Sequence, residues 1–406
     1  MSLMPLADAQ RRVMDQVAPL STTRVPIDES RGMVLAQSVA ADEDIPPFAN
    51  TGMDGFAVRA VDTTGASAES PVDLPIAGTI AAGSVADRPL RPGEAMRIMT
   101  GAPIPDGADA VVMVELTAVD EDDTTVSVRG EVRSGNHVRP AGDDLKAGTE
   151  LFEPGIVITP AHIGMFATLG LTEVEVVRRP RVGVFSTGDE LVVGPEPLGP
   201  GQIRDSNRPQ LLALVAEAGL EPVDLGWLPD DEAAIEAALR AGAETCDALL
   251  TSGGVSMGDF DFVKTLLQRL GELNWMQIAI KPAKPFAFGT VLGTPIFGLP
   301  GNPVSSAVSF ELLARPALLK MMGYSDTERR TVWAFTDEPL LRQRDGKTHF
   351  IRVRVAESID GAPRVRSAGG QGSHQLSGLA MANGLAAIPD GEGVSSGEKV
   401  RVVLLT

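Results

Sequence analysis

The segment Thr251-Ser-Gly-Gly-Val-Ser-Met-Gly-Asp-Phe-Asp-Phe-Val-Lys264 joins the apolar run Ala248–Leu250 to a helical pattern over Phe262–Leu273. A glycine pair after a buried strand lets backbone N–H groups approach an anion, and the positive end of the next helix favours an anion there. Asp259 and Asp261 add two carboxylates, which would repel that ligand unless a divalent cation lay between them. The segment therefore predicts an enzyme that handles a phosphorylated or oxyanionic substrate with a metal.

Strand-like and helix-like runs alternate on both sides of this segment. The predicted strands are Val182–Ser186, Pro222–Trp227, Ala248–Thr251 and Met276–Ile280. The predicted helices are Arg208–Ala218, Asp231–Ala243, Phe262–Leu273 and Pro303–Met322. This alternation indicates βαβ units, so we expect a central three-layer α/β domain with a mostly parallel sheet over residues 181–325. Ligands bind such sheets at the carboxyl ends of the strands, where the glycine-rich segments lie.

The remaining sequence predicts three further regions. Residues 46–139 consist of short β-prone runs cut by Gly, Pro and Asp, which indicates an all-β domain. Residues 1–45 and 140–180 carry an amphipathic helix over residues 4–20 and a further helix over residues 161–169. Residues 326–406 return to β-prone runs and predict a C-terminal β domain.

Composition narrows the class of protein. A chain of 406 residues should form more than one domain. The net charge of −19 argues against binding to nucleic acid or to anionic membranes, and we find no apolar run of about 18 residues that would span a bilayer. The single Cys246 excludes an intramolecular disulfide, and we find no signal peptide, so the expected compartment is the cytoplasm.

Two acidic segments follow predicted strands. Ser186-Thr-Gly-Asp-Glu-Leu191 suits contact with phosphate or with metal-bound water, but a structural Ser/Asp turn explains it equally well. Pro229-Asp-Asp-Glu232 places acids in the first turn of a helix, which the helix dipole favours irrespective of any metal. Asp230 is the stronger candidate there because it would lie beside the Gly253 turn. Asp205 and Ser206, before another helix, are explained by capping.

Two rigid segments complete the pattern. Lys281-Pro-Ala-Lys-Pro285 follows a strand and holds two ammonium groups between prolines, where they would offset repulsion between an oxyanion and nearby aspartates. Gly298-Leu-Pro-Gly-Asn-Pro303 precedes the long helix, with Asn302 at the capping position and Pro303 in the first turn. We expect all these segments to meet at one edge of the sheet.

Together these motifs resemble the MoeA/gephyrin E-domain family, the molybdopterin molybdenumtransferases, over essentially the whole chain. The matching pieces are MDGFAVR at 53–59, MTGAPIPDGADAVV at 99–112, STGDEL at 186–191, DSNR at 205–208, TSGGVSMGDFDFVK at 251–264, KPAKP at 281–285 and GLPGNPVS at 298–305. The resemblance implies an elongated four-domain homodimer with its cleft between subunits. The four domains would be a discontinuous N-terminal domain (1–45 and 140–180), an inserted β domain (46–139), the α/β domain (181–325) and a barrel-like β domain (326–406). The family inserts molybdate into adenylylated molybdopterin, using Mg²⁺ and releasing AMP.

The resemblance also implies roles for particular residues. Asp54 and Thr100 would come from the partner subunit, Glu190, Asp230 and Asp261 would surround metal and substrate, and Lys281 and Lys284 would attract molybdate. The implied substrate-binding residues are Ser186, Thr187, Gly188, Ser252, Gly253, Gly254, Ser256, Pro300, Asn302, Pro303, Arg352 and Ser377.

The chain departs from the family pattern at a few positions, and two other functions stay open. Ala283 replaces the usual glycine between the lysines, Phe56 stands where tyrosine is common, and Gln277 stands where some members carry lysine. A molybdopterin adenylyltransferase shares the α/β domain but is mainly a single-domain protein. A gephyrin-like scaffold would have no use for the acid and lysine motifs. The adenylyltransferase is also a possible partner that delivers the substrate.

Overall fold

The computed structural model describes residues 3–253, 266, 269–357 and 361–405. The chain packs into two compact units. The larger unit comprises the N-terminal segment to Ala36, Gly155–Ala167 and Leu171 onward, and the smaller comprises Gln37–Pro154 and Thr168–Gly170. Over the described ranges, we find no helix that is both long and apolar enough to cross a membrane.

The chain begins with helix α1 (Leu6–Met14), strand β1 (Thr22–Pro26) and strand β2 (Val34–Leu35). Ala9 and Val13 lie one helical turn apart, and both are fully buried. The predicted helix over residues 4–20 is therefore correct in type but too long. Pro19 explains its end, because a proline ring clashes with the carbonyl group four residues earlier in a helix.

The smaller unit is built from strands. They are β3 (Val39–Ala40), β4 (Asn50–Thr51), β5 (Gly55–Val58), β6 (Val72–Ile80), β7 (Ala95–Ile98), β8 (Ala110–Met113), β9 (Thr117–Val119), β10 (Thr125–Val128), β11 (Val138–Arg139) and β12 (Glu150–Phe152). Six of them form one sheet in the order β8-β5-β7-β6-β10-β9, and β11 and β12 pair with β4 and β3. Apolar clusters that include Phe56 and Met96 form its core. The predicted all-β character of this part is confirmed.

Segments that precede and follow the smaller unit in the sequence pair with each other in one sheet of the larger unit. After helix α2 (Pro160–Thr168), strand β13 (Glu173–Val177) runs antiparallel to both β1 and β2, in the order β1-β13-β2. The chain thus leaves this sheet, forms the β unit and returns to it. The exact boundaries of the four predicted domains remain a prediction.

The central part of the larger unit is an α/β arrangement. Its elements are β14 (Arg181–Thr187), β15 (Leu191–Val192), β16 (Ile203–Arg204), α3 (Asn207–Glu217), β17 (Glu221–Leu228), α4 (Glu232–Thr245), β18 (Ala248–Ser252), β19 (Gly271–Gln277), β20 (Ile280–Lys281), β21 (Pro285–Val291) and β22 (Thr294–Leu299). Six strands form a sheet in the order β17-β14-β18-β22-β21-β19. The first four are parallel, and β21 runs antiparallel to both of its neighbours. The predicted mostly parallel sheet is confirmed.

One predicted helix ends earlier than expected. Half of Phe262–Leu273 lies outside the described residues, but the part from Gly271 is strand β19 rather than helix, so the prediction was wrong there. Gly271 is a helix-stop residue, and a side chain at this position would collide with the carbonyl oxygen of Thr290 on β21. The close approach of the two strands therefore requires glycine where the helix stops.

The long predicted helix from Pro303 is present but interrupted by a π-helical turn. Helix α5 (Pro303–Ser309) runs into the π turn Phe310–Ala314 and then into α6 (Arg315–Met321). Pro316 provides the reason, because its ring would clash with the carbonyl of the residue four positions earlier in a regular α-helix. Almost every side chain in this stretch is buried, so the helix forms part of the core.

The C-terminal part closes into a barrel. Its elements are β23 (Thr331–Thr336), β24 (Leu340–Leu341), β25 (Thr348–Glu357), β26 (Pro363–Ser367), α7 (Leu376–Ala380), β27 (Gly384–Ile388), β28 (Gly393–Val394) and β29 (Lys399–Leu404). The pairing runs β25-β26-β23-β29-β27 and returns from β27 to β25, so no strand of the ring has a free edge. This confirms the expected β-barrel. Strand β20 of the α/β part adds to β25 in parallel.

Candidate active site

The parallel strands place the predicted segments at one edge of the sheet. Strands β14, β17, β18 and β22 end immediately before Gly188, Pro229, Gly253 and Pro300, respectively. Since these four strands are parallel, their carboxyl ends face the same side. The structure therefore brings the candidates Ser186, Thr187, Gly188, Asp230, Ser252, Gly253 and Pro300 to a single edge.

The Gly253 turn makes the closest backbone approach along this edge. Gly253 has a φ of +94°, and a Cβ atom there would lie 2.9 Å from the carbonyl oxygen of Thr187. Its N–H donates to the carbonyl oxygen of Leu299 at 3.3 Å. The backbone ends of three neighbouring strands thus meet at a point where only glycine fits. The next three candidates, Gly254, Ser256 and Asp261, lie outside the described residues.

Ser186, predicted to contact substrate, is instead buried and hydrogen-bonded within the protein. It is 1% exposed, and its Oγ donates to Asp205 Oδ2 at 2.7 Å. Arg208 also donates to Asp205 and forms an ion pair with Asp224. Burial lowers the pKa of Arg208, but the hydrogen bonds from Arg208 to Asp224 and Asp205 outweigh burial, so the net shift is upward. Arg208 therefore stays protonated and is paired with Asp205 and Asp224, so its guanidinium is not free to bind an anion.

Asn207, which was not among the predicted site residues, links the ends of two strands. Its Nδ2 donates to Ser252 Oγ at 2.7 Å and to the carbonyl oxygen of Gly301 at 2.6 Å. Of the two predicted caps beside it, Asp205 accepts from the Arg208 N–H at 3.2 Å, whereas Ser206 makes no capping hydrogen bond. The only sequence signal for Asn207 was its place in the DSNR motif at 205–208.

The acidic candidates follow the two strands at one side of this edge. Glu190 and Asp230 are both exposed, and the Asp230 N–H donates to Asp189 Oδ1 at 3.1 Å, which ties the two loops together. The Glu190 carboxylate folds back over Gly188, where a Cβ would lie 2.3 Å from Glu190 Oε2. Asp231 has a different role, since it caps α4 by accepting from the Ala234 N–H at 2.8 Å. Helix capping therefore explains Asp231 but not Asp230, whose side chain lies at the sheet edge.

The acidic loops have the donor chemistry of a magnesium site but not a complete ligand set. In the described part of the chain, no three His, Cys, Asp or Glu side chains are grouped closely enough to hold a metal. Glu190 and Asp230 supply carboxylate oxygens on adjacent loops, which are the ligands that Mg²⁺ prefers. Because Mg²⁺ usually keeps several waters and takes only one or two protein carboxylates, the residues present fit this ion.

The two lysines lie at the other side of the same edge. Lys281 and Lys284 are exposed in the loop that joins β19 to β21, and the Ile278 N–H donates to the Lys284 carbonyl at 2.8 Å to close this loop. Ala283 between them is 3% exposed and has a φ of +76°, a left-handed conformation that glycine adopts more easily. The Lys281–Pro282 peptide bond is cis.

Lys281 faces a cationic cavity that it shares with the barrel. This cavity of about 260 Å³ is lined by Lys281, Pro282, Leu341, Arg342, Gln343, Arg344, Asp345, His349, Phe350, Ile351, Arg352 and Gln371. Asp345 is its one acid, and neither Glu190 nor Asp230 lines it. The β20–β25 pairing, which places Lys281 opposite His349, fixes the lysine loop against the barrel strand that carries Arg352.

Arg352 is a buried cation without a paired carboxylate in the described structure. It is 1% exposed, donates to the carbonyl oxygens of Gly370 and Gly372, and leaves its Nε without a hydrogen-bond partner. Burial lowers its pKa. The adjoining Ser373 carbonyl accepts from the Val304 N–H at the start of α5, which brings the glycine-rich segment to the sheet edge. Ser377 lies on α7 and is exposed.

The site residues therefore span the edge rather than cluster at one point. Neighbouring strands lie about 4.8 Å apart, so the end of β14 and the start of β21, three strand positions apart, are separated by about 14 Å. Between the acids and the lysines lie the Gly253 turn and the start of α5. There Asn302 occupies the N-cap position, is exposed and makes no capping hydrogen bond, with Pro303 in the first turn. This spacing suits a long ligand with several charged groups.

Asp54 and Thr100 form a separate pair in the smaller unit. The N–H and Oγ1 of Thr100 both donate to Asp54 Oδ1, at 2.6 and 2.7 Å. These bonds, led by the one from the backbone N–H, lower the pKa of Asp54. Both residues are exposed, and they come from two distant glycine-rich turns of the sequence. The structure thus joins the two motifs that the sequence analysis singled out in this unit.

Three family models match the chain. They are described as the MoeA N-terminal region (domain I and II) at residues 4–170, a probable molybdopterin binding domain at 183–320, and the MoeA C-terminal region (domain IV) at 341–405. Each matched range contains one of the sets described above, namely the Asp54–Thr100 pair, the sheet edge, and Arg352 with Ser377.

Curated relatives and a solved structure agree with these matches. The chain is 42% identical to molybdopterin molybdenumtransferase 2 of Mycobacterium tuberculosis and 36% identical to the molybdopterin molybdenumtransferase of Haemophilus influenzae, with 98% of both chains covered in each case. The crystal structure of the molybdopterin biosynthesis moeA protein from Pyrococcus horikoshii OT3 superposes with a TM-score of 0.81 at 32% identity, covering 99% of this chain and 100% of that one. The chain therefore belongs to the MoeA family, as its motifs predicted.

Proposed function

We propose that this protein is a molybdopterin molybdenumtransferase that inserts molybdate into adenylylated molybdopterin and releases AMP. The observation that carries the proposal is the charge pattern along one sheet edge. Exposed acids lie at one side, lysines and a buried arginine at the other, and the glycine turn at Gly253 lies between them. Adenylylated molybdopterin has a phosphoanhydride between two organic groups and a dithiolene that receives the metal. A ligand of this length and charge fits the spacing of these groups.

Backbone groups in the middle of the edge would hold the phosphates. The Gly253 turn and the Gly301 turn before α5 lie side by side at the strand ends, next to the N-terminus of a buried helix, and backbone amides of these turns that are not bonded within the protein would face the phosphates. Such amides bind phosphate oxygens without adding a charge that must be neutralised. Thr187 and Ser252 hydroxyls border this position at the ends of β14 and β18.

The acidic loops would supply the metal site. Asp230 and Glu190, with Asp261 from the segment after Gly253, would hold Mg²⁺, which when bound makes the phosphoanhydride more electrophilic and stabilises the departing phosphate. In the reaction, an oxygen of water or of molybdate attacks a phosphorus of the phosphoanhydride, the P–O bond to AMP breaks, and AMP leaves. The two dithiolene thiols then bind molybdenum and release their protons. Molybdenum gives up one oxygen, either to the phosphate that it attacked or, with the two protons, as water, and its oxidation state does not change.

The lysine loop would collect molybdate. Lys281 and Lys284 are exposed ammonium groups in a chain of net charge −19, so they provide a local positive potential for an incoming oxyanion. Arg352 adds a charge that no carboxylate of the described structure neutralises. Because this region is separated from the acids by the width of three strands, molybdate and the metal ion would occupy different places.

The functional protein is a homodimer in this proposal, with Asp54 and Thr100 contributed to the site of the partner subunit. The support is that this exposed, hydrogen-bonded pair has no role in the core of its own unit. Mixing Asp54→Ala and Asp230→Asn subunits tests it. Mixed dimers would contain one intact site, so activity should recover to about a quarter of wild type after subunit exchange. Absence of any recovery, with mixed dimers verified by mass, would reject the shared site.

The main experiment is AMP release by the purified protein. We expect AMP from adenylylated molybdopterin only when both molybdate and Mg²⁺ are present. An adenylyltransferase would instead consume ATP and produce pyrophosphate with unmodified molybdopterin, and a scaffold would do neither. The adenylyltransferase that makes the substrate is the proposed delivery partner in the cytoplasm. A stable complex of the two proteins in a mass measurement would support that part.

A further inference from the structure

The segment 205–207, where α3 begins, contacts the ends of three parallel strands, yet Asn207 has no role in the chemistry proposed above. Asp205 accepts from Ser186 at the end of β14. Asn207 donates to Ser252 at the end of β18 and to Gly301 just after β22. A single turn therefore ties together the strand ends on which the phosphates would rest.

Both amide hydrogens of Asn207 are used, and the two bonds are short. The acceptors are a side-chain hydroxyl at 2.7 Å and a backbone carbonyl at 2.6 Å. Its Oδ1 is buried and has no hydrogen-bond partner. An unsatisfied buried carbonyl oxygen costs free energy, so capping alone does not account for this asparagine. Among side chains of this size, only an amide offers two hydrogens from one atom.

The two acceptors belong to the turns that face the proposed substrate. Ser252 directly precedes Gly253, and a Cβ on Gly301 would lie 3.9 Å from the Gly253 Cα, so the two turns lie side by side. We propose that Asn207 is a positioning residue, which sets the spacing of the Gly253 and Gly301 turns and thereby the affinity for the phosphoanhydride of adenylylated molybdopterin. This inference rests on the proposed function.

The test is Asn207→Asp, which keeps the shape of the side chain and removes both donors. The new carboxylate would repel the Gly301 carbonyl, so the two turns should separate. With adenylylated molybdopterin as the varied substrate, we expect KM to rise about tenfold or more while kcat changes by less than about threefold. KM for molybdate should stay unchanged, since the lysine loop lies on other strands.

Two further variants separate positioning from general loss of stability. Asn207→Gln keeps both amide hydrogens and should restore part of the affinity. Asn383→Asp is a matched control in the barrel, because Asn383 also bridges backbone groups: its Nδ2 donates to the Val355 carbonyl at 3.0 Å and its Oδ1 accepts from the Val355 N–H at 2.7 Å. We expect this control to lower the melting temperature without raising KM.

The outcomes are distinct. An unchanged KM in Asn207→Asp, or an equal rise in Asn383→Asp, would overturn the inference and leave the proposed function in place. An Asn207→Asp rise that Asn207→Gln reverses in part would support the inference. A wild-type protein that releases no AMP at all would overturn both.

Discussion

The two sides of the candidate site at the sheet edge are built in opposite ways. At the acidic side, Glu190 and Asp230 are exposed on short loops, which are tied together by the hydrogen bond from the Asp230 N–H to Asp189 and by that from the Trp227 side chain to the Gly188 carbonyl. At the cationic side, Lys281 is anchored by a strand pairing to the barrel, and Arg352 is almost completely buried. The acidic side chains are thus exposed on loops, whereas the backbone of Lys281 and the side chain of Arg352 are held by the barrel.

The distance between the two sides explains why they do not neutralise each other. Exposed charges farther apart than about 8 Å are largely screened at physiological ionic strength, and the strand ends that carry the two loops are about 14 Å apart. Each side therefore keeps its own potential, negative for a cation and positive for an oxyanion. A ligand that carries a phosphoanhydride at one part and accepts an oxyanion at another would therefore contact both sides in the proposed function.

The largest expected effect comes from removing an acid. Asp230→Asn or Asp261→Asn should lower metal-dependent AMP release by about 100-fold or more, because a carboxylate around the metal stabilises charge that develops in the transition state. Asp231→Asn is the matched control, since asparagine also caps helices and Asp231 only caps α4. Rates measured over a Mg²⁺ titration check this prediction. Equal losses in Asp230→Asn and Asp231→Asn would reject a special role for Asp230.

A smaller effect is expected at the cationic side. Lys281→Ala should raise KM for molybdate about tenfold, through loss of one ammonium group that attracts the oxyanion, and should leave KM for adenylylated molybdopterin unchanged. Lys399→Ala removes an exposed lysine on barrel strand β29 and serves as the control. Steady-state rates with each substrate varied in turn check the prediction. If Lys399→Ala has the same effect, net charge rather than position would be responsible.

The sequence was sufficient for the architecture and for the identity of the charged segments. Strand alternation and glycine turns predicted the mostly parallel sheet and its edge, because both depend on local patterns. The sequence was not sufficient to predict the strand that begins at Gly271 in place of a helix. Nor could it predict the hydrogen bonds of Asn207, whose two partners are 45 and 94 residues away. Contacts of that range depend on the strand order, which no local pattern specifies.

The charge pattern itself was predicted, but its spacing was not. We expected the lysines to offset repulsion directly beside the aspartates, and the strand order instead places β19 and β21 at the far side of the sheet. The antiparallel β21 is the physical reason, since it extends the sheet beyond the last parallel strand. The roles of the individual site residues remain predictions.

The Asp54–Thr100 pair provides a test that does not depend on turnover. Its hydrogen bonds lower the pKa of Asp54, so any stability they add is fully present above the ordinary carboxyl pKa and is lost as the pH falls through the lowered value. Thr100→Val removes the hydroxyl donor but keeps the N–H, so the Asp54 pKa should rise part of the way toward its ordinary value. A carboxyl-carbon NMR titration measures this, and an unchanged pKa would contradict the observed contact.

The smallest effect is expected at Ala283. Its left-handed conformation costs an alanine about 1–2 kcal/mol, while glycine would lose a buried methyl group and gain chain entropy when unfolded. Ala283→Gly should therefore change the free energy of unfolding by less than about 1 kcal/mol. Ala283→Val should destabilise more strongly, since a β-branched residue rarely adopts positive φ. Chemical denaturation of both variants compares them, and equal stabilities would contradict a left-handed backbone at this position.

The separation of the two sides is tested most directly by a crystal structure with molybdate and AMP, in which anomalous scattering locates molybdenum. We predict a molybdenum peak beside Lys281 and Lys284, at the β19–β21 side, with the AMP phosphate near the Gly253 turn. A molybdenum peak between Glu190 and Asp230 would contradict this arrangement of the site.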